Sequence, residues 1–179
     1  MQVRKYIRDN IKKLKVTYLV TGPYSDLFFA PASKYEHAGD FNPKQLKATL
    51  LSTGEEKISF TTMQDVGRLL VAALRTPVAE NERILKVNSF TTTGKEALAE
   101  FEKQTKSKWH VKFTSLQDLK RLETEAWQKD DPLKTVFTLR RIWTEGGTLY
   151  DARSNGSIGF EGQEETLQEQ VEKLIAKHS

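Results

Sequence analysis

Near the C-terminus the run Gly156-Ser157-Ile158-Gly159-Phe160-Glu161-Gly162 has the glycine spacing of a phosphate-binding turn, and a helical pattern follows it. Cradling a phosphate takes more than glycines. It needs a buried strand before the turn, backbone N–H groups at a helix N-terminus, and a second strand bearing an acid about 20 residues further on. Here the sequence reaches Ser179 after one helical pattern, and Glu161, Glu164 and Glu165 put negative charge where an anion would sit. The run therefore reads as a flexible loop closed by a helix start. A tyrosine with lysine four residues later would be a second chemical signature, because the cation lowers the phenol pKa and lets it exchange a proton with a carbonyl or alcohol. None of the five tyrosines has that partner: Tyr6 is followed by Asn10, Tyr18 by Gly22, Tyr24 by Phe28, Tyr35 by Gly39 and Tyr150 by Ser154. His37, His110 and His178 show no ligand spacing, and the absence of cysteine removes thiol nucleophiles, disulfides and Cys-bearing metal sites. There is no Gly-x-Ser-x-Gly elbow and no Walker motif. Asp65 reads as a helix-capping residue, and no catalytic residue is assigned.

Periodicity gives an α/β chain. Val3, Ile7, Ile11 and Leu14 recur at helical spacing, and the apolar run 16–21 then reads as a strand covered on both faces, ended by Gly22-Pro23. Residues 30–45 form a polar connection. Two short β-like runs, 48–51 and 58–60, flank Ser52-Thr53-Gly54-Glu55-Glu56, which suits a hairpin turn. Thr62 with Asp65, Thr93 with Glu96 and Ser115 with Asp118 have capping spacing. They open helices carrying Val66, Leu69, Leu70, Ala73 and Leu74, then Ala97, Leu98 and Phe101, then Leu116, Leu119, Leu122, Ala126 and Trp127. Residues 83–88 read as a strand, as do Trp109, Val111 and Phe113 with one covered face. Helices with Leu133, Val136, Phe137 and Trp143, and with Leu167, Val171, Leu174 and Ile175, complete the chain.

At 179 residues the chain suits one domain, 1–179, but is short for a complete dinucleotide-binding enzyme with its own substrate lobe. With 37% hydrophobic and 29% charged residues, no apolar run near the roughly 20 residues of a membrane span and no signal-peptide pattern, a cytoplasmic protein without a membrane partner is expected. The net charge is +4. The one basic cluster, Arg4, Lys5, Arg8, Lys12, Lys13 and Lys15, reads as a solvated helix face, and nucleic acid is not an expected partner.

Stretches in a fixed order carry a family resemblance. Val3-Arg4-Lys5-Tyr6-Ile7-Arg8 leads into Val16-Thr17-Tyr18-Leu19-Val20-Thr21-Gly22-Pro23-Tyr24. The helix at 61–74, the strand at 109–113 with the helix before it, and Gly146-Gly147-Thr148-Leu149-Tyr150 through Gly159-Phe160 follow. Together they resemble the NmrA-like and isoflavone-reductase-like proteins, a branch of the atypical short-chain dehydrogenases. The resemblance implies the C-terminal, substrate-side part of a Rossmann-like NAD(P)-binding fold, with the Gly-rich βαβ half absent and the family's lysine falling just ahead of Met1. It implies NADP or NAD as cofactor, with no better than millimolar binding expected of this chain alone. It places Gly22, Pro23 and Tyr24 at the nicotinamide end of the cofactor. Tyr24, Phe28, Trp143, Tyr150 and Phe160 then line a pocket for a small aromatic or carbonyl substrate. Each also has a structural reading: Gly22-Pro23 as a strand-ending turn, Tyr24 and Phe28 as a core stripe, and the other aromatics, Trp127 among them, as core. The activity implied is hydride transfer to a double bond or carbonyl, with the chain inactive by itself. The alternatives are a non-catalytic redox-sensing module that binds a partner protein, and a small ligand-binding protein completed by self-association. An exposed apolar surface along the first helix and the 16–21 strand is expected.

Overall fold

In the computed structural model, which describes residues 2–11, 13–32, 35–78 and 81–178, helices and strands alternate through most of the chain. Met1, Lys12 and Ser179, named above, lie outside the described residues. The order is α1 (Gln2–Asn10), β1 (Val16–Val20), α2 (Ser25–Phe28), β2 (Asp40–Asn42), β3 (Lys47–Leu51), β4 (Ile58–Phe60), α3 (Met63–Arg75), β5 (Glu82–Lys86), β6 (Phe90–Thr92) and α4 (Gly94–Thr105). After these come β7 (His110–Thr114), α5 (Leu116–Gln128), α6 (Lys134–Thr144) and α7 (Leu167–His178). No helix among the described residues is long and apolar enough to cross a membrane.

Among the described residues the strands form three small sheets. β1 and β5 pair in parallel, with Val16 opposite Glu82 and Val20 opposite Lys86. β3 lies between antiparallel β2 and parallel β7, with Lys47 opposite His110. β4 pairs antiparallel with β6. The expected hairpin between the runs at 48–51 and 58–60 is thus corrected: both are strands, but they belong to different sheets. The hairpin actually present joins β2 to β3 through residues 43–46, inside the stretch read as a plain polar connection.

Each capping signal acts where its spacing puts it, because the interaction is local. Thr62 Oγ1 accepts the Asp65 N–H, Ser115 Oγ accepts the Asp118 N–H, and Thr93 with Glu96 closes a full capping box. Tertiary burial is less regular. On α3, Leu69 and Ala73 are buried with Leu85, Val87, Ile158 and Phe160, whereas Leu70 and Leu74 face out. The larger core is aromatic. Phe29 sits at its centre with ring centroids 5.3 Å from Phe28, 5.1 Å from Phe41, 4.9 Å from Phe60 and 6.4 Å from Phe101.

β1 departs from the two-face-covered strand expected of its apolar run. It is half-buried throughout and, among the described residues, pairs on one side only. α1 explains why, since it is tied down by polar contacts instead of an apolar stripe. Arg8 grips Glu82 with Nε and Nη2 at 2.8 and 2.6 Å, and the Arg4 guanidinium lies over the Tyr18 ring. Next to it, Lys15 Nζ donates to the Val78 carbonyl at 2.6 Å. Val3, 71% exposed, and Leu14, 63% exposed, remain outside, as the sequence leads one to expect.

The turn at 156–162 follows no strand. Its first residues make a single 3-10 turn, and α7 starts only at Leu167. The expected free loop is instead a hydrogen-bonded clasp. Buried Asn155 donates from Nδ2 to the Asn88 carbonyl at 2.7 Å, and its own carbonyl accepts the Phe160 N–H at 2.9 Å. The first bond fastens the turn to the segment just after β5, and the second closes the turn on itself.

Candidate substrate pocket

The chain leaves the carboxyl end of β1 at Thr21, and buried Thr61 fixes the path it then takes. The Thr61 hydroxyl donates to the Thr21 carbonyl at 2.6 Å, its N–H donates to the Pro23 carbonyl at 3.1 Å, and its carbonyl accepts the Ser25 N–H at 3.1 Å. One residue thereby holds both flanks of Gly22-Pro23-Tyr24. From there α2 follows at once. Its Asp26 accepts the Met63 N–H at 2.8 Å, linking α2 to the first turn of α3.

Gly22 sits at φ +68°, and a Cβ there would stand 3.1 Å from the Ser59 carbonyl oxygen and 3.4 Å from Thr148 Cβ. A left-handed alanine costs about 1–2 kcal/mol, and the close neighbour is backbone that does not yield like a side chain. Gly22→Ala is expected to lose about 2 kcal/mol in urea unfolding, at the upper end of that range, and to shift the Tyr24 resonances. An unchanged midpoint would show that the loop is not held in this conformation.

Between α2 and α6 lies an open cavity of about 390 Å³, within the range of small-molecule sites. Gly22, Pro23, Tyr24, Phe28 and Trp143 all line it, the Phe28 and Trp143 rings packed together with centroids 6.0 Å apart. Five of the residues assigned to a site from the sequence therefore share one pocket. Tyr150 and Phe160 are placed elsewhere. The Tyr150 ring lies 5.5 Å from Lys86 Nζ, with burial raising its phenol pKa. Phe160 is packed in the smaller core beneath Arg68, whose Cζ is 4.9 Å from its ring centroid.

Leu27, Ala30, Tyr35, Val136, Leu139 and Arg140 also line the pocket and were not assigned to it from the sequence. Arg140 is the chemically distinct one. It is 3% exposed, donates from Nη2 to the Phe28 carbonyl at 3.0 Å, and sits over that residue's ring with Cζ 3.6 Å from the centroid. Burial lowers its pKa to about 9, an effect partly offset by Tyr35 and Asp40. Burial also raises the carboxyl of Asp40, which accepts the Ala32 N–H. The signal for Arg140 was present: a cation four residues after Val136 and three before Trp143, on the inner stripe of a helix.

The architecture resembles that of several reductases of known structure. The crystal structure of isoflavone reductase superposes with a TM-score of 0.73 at 17% identity, over 96% of this chain and 56% of that one. A leucoanthocyanidin reductase–NADPH complex from Vitis vinifera gives 0.70 at 14% identity, over 98% and 56%. A triphenylmethane reductase from Citrobacter sp., complexed with NADP(H), gives 0.60 at 13%, over 88% and 52%. At these identities the likeness concerns the fold. Among curated proteins, the oxidoreductase aprR of Aspergillus flavus is 28% identical over 142 residues, 79% of this chain and 46% of that protein. The oxidoreductase poxI of Penicillium oxalicum is 32% identical over 79 residues, 44% of this chain and 25% of that protein. The chain thus spans less than half the length of these relatives. No family model matches it.

Proposed function

We propose that this chain forms the substrate-side part of an NAD(P)-dependent reductase, with Gly22, Pro23 and Tyr24 against the nicotinamide end of the cofactor and Phe28 and Trp143 walling the substrate. The observation that carries this reading is the pocket's position. It is lined by the loop that leaves the carboxyl end of β1, a parallel strand, and open α/β sheets bind ligands outside that end. The residues fit a planar ring, since the lining is mainly aromatic and aliphatic. They do not fit a pyrophosphate: the chain holds no Gly-x-Gly-x-x-Gly run, and the 156–162 turn is committed to its own clasp. The nicotinamide, when bound, supplies the hydride. Tyr24 and the packed Phe28–Trp143 pair give a flat ligand an apolar surface, while Leu27 and Leu139 stand at the exposed rim and limit water access. No proton donor is assigned within the chain.

NADPH and NADH titrations followed by amide NMR test this. The expected result is weak binding, near millimolar or about −4 kcal/mol, with shifts confined to residues around Gly22 and Tyr24. Gly159→Asn, a residue that tolerates the left-handed backbone there, should leave the affinity unchanged. Micromolar affinity, or shifts centred on Gly159, would place the dinucleotide elsewhere and sink the assignment.

A further inference from the structure

The sheet of β2, β3 and β7 turns Phe41, Ala48 and Leu50 to the aromatic core, and its other face carries a polar cavity of about 360 Å³ that shares no lining residue with the α2–α6 pocket. Register places the side chains there. Asp40, Thr49 and Lys112 stand opposite one another across the three strands, and Asn42, Lys47 and His110 form the next row, two residues along. Asp40 is thus separated at the backbone from Lys47 and Lys112 by about 8–10 Å. Asp40 is 7% exposed, and its Oδ1 accepts the Ala32 N–H. Oδ2 has no hydrogen-bond partner among the described residues, yet it is not sealed in: Asp40 lines the cavity and this oxygen retains accessible surface. Arg140 acts on the carboxylate through its field, and no ion pair reaches Asp40 among the described residues. A carboxylate so buried is costly unless a cation completes it. Lys112 Nζ is 3.9 Å from Glu36 Oε1, whereas Lys47 has no ion-pair partner among the described residues. One cavity therefore presents an unanswered anion and an unanswered cation, with Thr49 next to both.

We propose that this cavity binds a small ω-amino acid, its ammonium on Asp40 and its carboxylate on Lys47. Side chains stand nearly upright on a sheet, so the two charged ends stay apart instead of closing on each other. A few methylenes between the charges of the ligand span what is left once each end makes a charge-assisted bond of about 2.8 Å. An α-amino acid, with both charges on one carbon, reaches only one of the two groups. The site stands independently of the nucleotide reading of the α2–α6 pocket.

The full chain is titrated by amide NMR with four probes: 4-aminobutyrate, 4-hydroxybutyrate, which lacks the ammonium, butylamine, which lacks the carboxylate, and glycine, whose charges share one carbon. 4-Aminobutyrate should bind at least tenfold tighter than each of the others and shift the amides of Asp40, Lys47 and Thr49. Asp40→Asn, which keeps an oxygen for the Ala32 N–H, should bring its affinity within twofold of that for 4-hydroxybutyrate. Lys47→Met, at an exposed position, should bring it within twofold of that for butylamine. Equal affinity of 4-aminobutyrate and either single-charge analogue for the unmodified chain would overturn the proposal, whether or not the variants fold. So would the absence of binding, shifts centred on Tyr24, or a preference that survives both substitutions. Glycine binding as tightly as 4-aminobutyrate would refute the assigned spacing and the proposal with it.

Discussion

Phe29→Ala is expected to destabilise the chain by about 4 kcal/mol, the middle of the range for deleting a buried phenyl ring. Phe29 is 1% exposed and touches four other rings, Phe28, Phe41, Phe60 and Phe101. Phe41 and Phe101 are themselves stacked, and Phe101 packs on Trp109. The neighbours are thus held from several sides and have little freedom to close the void, which is the condition under which the cavity term is largest. Because Phe28 adjoins Phe29 and floors the pocket, the variant should also loosen ligand binding. Urea unfolding at equilibrium gives the number, and Phe113→Ala, at a residue 55% exposed, is the control, expected to lose no more than about 0.5 kcal/mol. A loss near 1 kcal/mol for Phe29→Ala would mean that the cluster repacks freely.

The second large effect is expected at Asp65. Its spacing from Thr62 marks it as a helix-capping residue, and a cap alone is worth about 1 kcal/mol. The structure gives it more to do. Fully buried Asp65 Oδ2 accepts the Ser89 hydroxyl at 2.6 Å and the Glu165 N–H at 2.8 Å, and Oδ1 accepts from Arg68 Nη1 at 2.8 Å. Ser89 Oγ in turn accepts the Thr62 N–H at 3.0 Å, so the bond that would return to the cap residue is routed through a second side chain. One carboxylate thus ties the start of α3 to the residue before β6 and to the approach to α7. Asp65→Ala strands these donors in the interior, and the cost should reach about 3 kcal/mol. The Arg68 contribution is small within that figure, since its side chain is 40% exposed and water screens it. A measured loss near 1 kcal/mol would return Asp65 to the rank of a simple cap. Since Thr62 adjoins Thr61, Asp65→Ala should also broaden the Gly22 and Tyr24 resonances.

What could be read from the sequence and what could not divide along range. The caps at Thr62, Thr93 and Ser115 were legible because each joins groups three residues apart. The strands at 16–20 and 58–60 were legible from composition, but their partners were not. Ser52-Thr53-Gly54 does turn the chain, with Gly54 N–H donating to the Leu51 carbonyl at 3.0 Å. The strands on either side nevertheless go to β7 and β6, distant segments that no local pattern names. In the pocket, the resemblance-based residues Gly22, Pro23, Tyr24, Phe28 and Trp143 converge because α6 returns to α2. Tyr35 lay in a stretch with no periodicity to mark it. Arg140 was passed over for the opposite reason: a charge on an inner stripe breaks the amphipathic pattern by which inner faces are recognised. Phe160 and Tyr150 show the converse limit, since aromatic character alone does not distinguish a pocket wall from packing.

The two parallel pairings have a kinetic consequence. β3 lies in the sequence between β1 and its partner β5, and β5 lies between β3 and its partner β7. Neither ladder can close from a contiguous stretch of chain, and each encloses a strand that the other requires. Such interleaved, non-local contacts raise contact order and slow the search for the native state. They also link the two sheets in one respect: a nick anywhere between residues 51 and 82 leaves both ladders joining two separate fragments, so neither ladder can form within one piece alone.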